Sequence, residues 1–232
     1  MQNNFQNGNF PNFLNFASMQ PMQNMLNIQN MSNMQNMQNL QMSFNPSFMN
    51  LSLLKSEFDN LNKDPMPNFG LSVGLIHQND YTKWRITLSG PLDSEYARGF
   101  YKINIMFPNN YPNSPPIFYF LNPIYHLNVN PFSNQSDPLG YVPIDKLNLW
   151  QPGYTIRETI TNLYALFYYT DPNFGYGNDR INEYKTNKTL YKQKVRYFVD
   201  KYGKSESLYL DWANIDWNFS IYSCNSCNNL VY

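Results

Sequence analysis

The sequence predicts an α+β fold: an N-terminal helix, a four-stranded antiparallel meander and a closing set of helices. Three observations carry it. An apolar stripe at helical spacing opens the charged part of the chain. Four short strand-like runs follow, with turn residues between them. Two further helical stripes come last.

The elements follow in chain order. Leu51, Leu54, Phe58 and Leu61 share one helical face, and Asp64-Pro65-Met66-Pro67 ends it, since proline cannot continue the helix ladder. Leu71, Val73 and Leu75 alternate as a first strand. Trp84, Ile86 and Leu88 alternate with Arg85 and Thr87 as a second, and Tyr101, Ile103, Ile105 and Phe107 as a third. Ile117 to Leu121 is a short apolar run that suits a fourth. Close spacing favours antiparallel neighbours, because parallel ones need long crossovers. Thr155-Ile156-Arg157-Glu158 has capping-box spacing and starts a helix. Its face is Ile156, Ile160, Leu163 and Phe167, with a stop at Asp171-Pro172-Asn173. Tyr191, Val195, Phe198 and Tyr202 mark a last helix before Gly203.

Composition divides the 232 residues into three parts: an arm at 1–49, a folded domain at 50–202 and an aromatic extension at 203–232. Residues 1–50 hold 14 Asn, 8 Gln and 9 of the 11 Met, and no charged side chain precedes Lys55. Met19, Met22, Met25, Ile28, Met31, Met34, Met37 and Leu40 recur at every third position. That spacing does not hold one face of an α-helix, but it holds one edge of a polyproline-II-like or 3₁₀ path. Such a tract reads either as disordered when alone or as a Met ribbon laid on a partner groove. Trp212 and Trp217 in the extension are candidate partner contacts on the same grounds, or parts of a tail folded back on its own domain.

Charge excludes further classes. Sixteen basic residues balance sixteen acidic ones, with no basic patch to hold nucleic acid. No apolar run approaches the ~20 residues of a membrane helix. The N-terminus lacks the plan of a secretory signal and the arginines of a mitochondrial presequence. The compartment is left open: cytosol by default, a mitochondrion or other organelle for an assembly subunit. Two cysteines exclude a disulfide framework, and Cys224-Asn225-Ser226-Cys227 lacks the other two ligands of a zinc site. No metal or cofactor is expected.

Four motifs remain. Ser89-Gly90-Pro91-Leu92-Asp93-Ser94-Glu95-Tyr96-Ala97-Arg98-Gly99 joins the second and third strands. Phe107-Pro108-Asn109-Asn110-Tyr111-Pro112-Asn113-Ser114-Pro115-Pro116, His126-Leu127-Asn128 and Gly140-Tyr141-Val142-Pro143-Ile144-Asp145 follow. Together they resemble the ubiquitin-conjugating enzyme family, with its G-P-x-D-S-x-Y-x-x-G turn, FP-x-x-YP-x-x-PP signature, His-Pro-Asn motif and Gly-x-Ile-Cys-Leu-Asp segment. The resemblance covers about residues 50–202 and implies the ubiquitin-conjugating (UBC-like) fold.

The resemblance also implies roles. In the family the cysteine forms a thioester, the histidine braces the loop and the asparagine supports an oxyanion. Here the cysteine slot holds Pro143 or, counted back from Trp150, Val142, and neither can form a thioester. Ser133, Ser136 and Tyr141 are the nearest hydroxyls, without an evident activating base. A stretch within Asn130–Pro138 is longer than is common in the family and could obstruct the groove. The expectation is therefore a pseudoenzyme. Its vestigial active-site loop comprises His126, Asn128, Tyr141, Val142, Pro143 and Asp145, and Asn128 ties the loop down. Family docking of ligases uses positions that here are Asn113 and Gln151-Pro152-Gly153, which makes ordinary docking doubtful. Two functions are weighed. One is a structural subunit binding other proteins of a large assembly. The other is a conjugating-enzyme variant that acts as a cofactor or binds ubiquitin, a conjugating enzyme or peptides.

Overall fold

The computed structural model describes residues 46–132 and 137–204, with side-chain exposure from residue 51 onward. Helix α1 (Pro46–Lys63) precedes a five-stranded sheet: β1 (Ser72–Leu75), β2 (Lys83–Ser89), β3 (Phe100–Met106), β4 (Ile117–Phe120) and β5 (Tyr141–Val142). Helices α2 (Ile156–Ala165), α3 (Asn178–Thr186) and α4 (Lys188–Tyr202) follow. Strand order equals chain order and every pair is antiparallel, so the sheet is a simple meander.

Alternation along the strands sets which face is buried. In β2, Trp84, Ile86 and Leu88 are fully buried, while Lys83, Arg85 and Thr87 are half-exposed on the other side. Trp84 pairs with Ile105 and Ile86 with Ile103, so the apolar rows of β2 and β3 coincide. The core continues through Phe118 and Phe120, then Ile156, Ile160 and Leu163 of α2 and Val195 and Phe198 of α4. Phe58 of α1 packs edge-on to Trp84, with ring centroids 5.2 Å apart. This covers the indole from the helix side.

The element reading needs four corrections. The sheet has a fifth strand, β5. Helix α1 starts five residues before Leu51, and Leu51 is 43% exposed, so Leu54 and Leu61 carry the buried stripe with half-buried Leu53 and Phe58. Helix α2 carries its full capping box, with Thr155 and Glu158 serving each other's backbone, but it ends at Ala165. The Pro172–Phe174 segment is a separate 3₁₀ turn capped by Asp171. Helix α3 is an additional element whose only buried side chain is Arg180.

Glu57 ties three elements together. Its Oε2 accepts from Tyr111 Oη at 3.0 Å and from the Ile156 backbone N–H at 3.3 Å, linking α1, the loop after β3 and the start of α2. Burial pushes its carboxyl above the ordinary glutamate range, against the opposing pull of those two bonds. No helix among the described residues is long and apolar enough to cross a membrane.

Candidate functional site

The segment Tyr125–Asn130 runs between β4 and β5, and hydrogen bonds fix its main chain from several elements. Tyr96 Oη donates to Tyr125 O at 3.0 Å. Arg180 Nη2 donates to His126 O at 2.5 Å. Leu127 N donates to Tyr191 Oη at 3.1 Å, and Tyr176 N to Leu127 O at 2.8 Å. The turn before β3, the segment before α3, α3 itself and α4 thus converge on Tyr125, His126 and Leu127.

His126 is fully buried within this clamp. Its Nδ1 accepts from Asn128 N at 3.0 Å, which leaves Nε2 as the protonated nitrogen, donating to Leu166 O at 2.8 Å. Burial pushes the imidazole down to about 4; the bond to Leu166 opposes this and the Arg180 charge adds to it. Asn128 is 0% exposed. Its Nδ2 donates to Asp171 O at 2.7 Å and Phe174 O at 3.1 Å, and its Oδ1 accepts from Asp171 N at 2.9 Å. Both amide N–H bonds are thereby spent on main-chain carbonyls of the segment after α2.

The nucleophile slot lies on and just after β5. Val142 pairs with Phe118 and is 0% exposed; Pro143 is buried beside it. Tyr141 is half-buried, and burial, followed by the charges of Asp145 and Asp137, raises its phenol above the ordinary value. Asp145 is exposed. Two backbone bonds join β5 to the His126 segment: Asn130 N to Tyr141 O at 2.9 Å and Gly140 N to Asn130 O at 2.8 Å. Asn130 also closes the base of the long loop, donating from Nδ2 to Asp137 O and Pro138 O at 3.1 and 3.2 Å.

Comparison with known proteins gives this geometry a lineage. Residues 53–199 match the family model described as ubiquitin-conjugating enzyme. The chain belongs to the ubiquitin-conjugating enzyme family. It is 31% identical to a probable ubiquitin-conjugating enzyme E2 7 of Caenorhabditis elegans over 129 residues, 53% of this chain and 76% of that one. It is 28% identical to a ubiquitin-conjugating enzyme E2 13 of Arabidopsis thaliana over 158 residues, 64% of this chain and 93% of that one. These findings overturn the expectation that the chain is no enzyme. That expectation rested on a single slot, whereas the family and both relatives carry the name of an enzyme.

Asn113 and Gln151-Pro152-Gly153, the positions that the sequence reading compared with ligase contacts, are exposed. Among the described residues, no three His, Cys, Asp or Glu side chains converge to hold a metal ion. Met19, Met22, Met25, Met31, Met34, Met37, Trp212, Trp217, Ser133, Ser136 and both cysteines lie outside the described residues. Sequence reasoning missed Arg180, Tyr176 and the clamping roles of Tyr96 and Tyr191. Tyr96 and Tyr191 had been read only as a turn residue and a core residue. Arg180 gave no signal, because nothing in its neighbours' pattern marks an arginine for burial.

Proposed function

We propose that this chain acts in the ubiquitin pathway and that its ubiquitin-conjugating domain binds ubiquitin or a conjugating-enzyme partner. The observation that carries the reading is the family match over one continuous span, residues 53–199. The names of the relatives supply the pathway.

The test uses the full isotope-labelled chain, titrated separately with ubiquitin and with an active ubiquitin-conjugating enzyme. Saturable shifts of domain amides with either one are expected. If neither moves any resonance, and ubiquitin, activating enzyme and ATP leave no adduct on the chain, the proposal falls. The adduct assay also locates chemistry. Cys224 and Cys227 are the only thiols in the chain, so a reductant-sensitive adduct must disappear in the Cys224→Ser, Cys227→Ser double variant.

A further inference from the structure

A groove of about 510 Å³ lies between the turn preceding β3 and helix α4. None of its lining residues belongs to the His126 segment or to β5. Leu92, Glu95 and Arg98 stand on the turn side, and Lys192, Arg196 and Asp200, at a spacing of four, on one outward face of α4. The turn is a preformed wall. Ser94 Oγ donates to Pro91 O at 2.8 Å and accepts from Tyr96 N at 3.2 Å, and Gly90 N donates to Gly99 O at 2.8 Å. Asp93 accepts from Tyr168 Oη at 2.8 Å.

Two side chains on this wall are not used by the described domain. Arg98 holds a left-handed backbone, φ 67°, in which a glycine sits without strain and an arginine does not. Its side chain is exposed and makes no hydrogen bond or ion pair among the described residues, so no contact there offsets the strain. Leu92 is 87% exposed at the rim. The helix side is only partly neutralised. Glu95 gives one oxygen to Lys192 Nζ at 3.0 Å and the other to Arg196 Nε at 3.1 Å, one carboxylate against two cations. Such half-exposed pairs exchange partners at little cost. With Asp200 counted, three cations face two carboxylates in the groove. Phe100 N donates to Gly203 O at 2.6 Å, which puts Arg98 near the end of α4. Lys192 lies eleven residues before Gly203, about 16 Å back along the helix. The positive charge is thus spread over a length that about five extended residues span. A small anion meets one end of it, whereas an extended chain with spaced carboxylates meets both.

We propose that this groove binds an extended acidic segment of a partner protein, with spaced carboxylates on Arg98 and Lys192 and an apolar side chain over Leu92. The segment belongs to a second partner, and its binding does not rest on recognition of ubiquitin. The test titrates the full chain into a fluorescein-labelled peptide of repeating glutamate-glutamate-leucine and reads anisotropy. A saturable rise is expected, weakened about fivefold or more by Arg98→Gly and by Lys192→Gln, and lost in about 1 M salt, where the screening length falls to about 3 Å. Arg98→Gly relieves the backbone, so its Tm is expected to hold or rise while binding falls, which separates a lost contact from a lost fold. A lysine-lysine-leucine peptide is expected not to bind. Absence of saturable binding, or binding that either variant leaves unchanged, would overturn the proposal. So would equal binding of the lysine peptide, displacement of the acidic peptide by inorganic phosphate at matched ionic strength, or binding of phosphatidylserine vesicles in place of the peptide.

Discussion

His126 is neutral in the fold because it is buried and its surroundings cannot hydrate an imidazolium. Its folded pKa is about 4 against an ordinary 6.5, so the unfolded chain binds the proton more readily throughout that window. Stability from this residue is complete above pH 6.5 and is lost as pH falls towards 4. Between pH 7 and pH 5 the wild type should lose about 2 kcal/mol from this group, and His126→Gln should flatten that slope in urea titrations. Asn128 sets a second expectation. Asn128→Ala removes two donors and one acceptor from buried main chain, which should cost about 2–3 kcal/mol in the same titrations. The residue types at both positions were legible because they stand in a short motif at family spacing. What holds them was not: the carbonyl of residue 126 is served by Arg180, 54 positions away, and no local pattern announces that pairing.

Elements were legible in proportion to their periodic length. Strands β2 and β3 have seven residues each; β2 alternates throughout and β3 everywhere but at buried Asn104, and their apolar rows pair as the alternation requires. The two residues of β5 are too few to show any period, so a strand that borders the site was invisible. Helix α3 was missed because its sequence, NDRINEYKT, buries only Arg180 and offers no apolar stripe. Leu51 matched the helical spacing yet stands exposed, since spacing selects a face and packing decides how far along the helix that face is covered. The same distinction sets a mutational order. Trp84→Ala should cost about 3–5 kcal/mol, whereas Leu51→Ser should stay within about 0.5 kcal/mol, both measured by chemical denaturation. The seam between β4 and β5 is tested at Gly140. Its φ is 77°, and a Cβ there would lie 2.1 Å from Phe120 O. Gly140→Ala should therefore cost more than about 2 kcal/mol. At Gly153, with φ 96° and nothing within 4 Å, the same change meets only backbone strain and should cost about 1 kcal/mol.

For the whole molecule, the fold class was read correctly, and the family match over 53–199 agrees with that reading. One missing cysteine had been allowed to decide the activity of the entire chain, which is the step the comparisons reversed. A local side chain specifies a mechanism, while the fold and its lineage specify the class of task. A buried polar cluster adds to the apolar packing of the last two helices. Lys194 Nζ of α4 lies 2.6 Å from Glu183 Oε2 of α3, with their side chains only 9% and 11% exposed. Tyr125 Oη donates to the other oxygen of Glu183 at 2.9 Å, and the Arg180 guanidinium stacks 4.7 Å from the centre of the Tyr125 ring. Removing one ion strands its partner in a dry site, so Lys194→Met should cost about 3–5 kcal/mol. Removing both should cost much less than the sum, because the double variant buries no orphaned charge. A double-mutant cycle over Lys194→Met and Glu183→Gln should therefore show a coupling of about 2 kcal/mol. Additive costs would mean that the ion pair adds nothing to the Arg180 and Tyr191 hydrogen bonds and the apolar contacts that hold α3 and α4 to the loop. The site loop would then keep its shape when the ion pair is gone, and its amide protection from hydrogen exchange would be unchanged in either single variant.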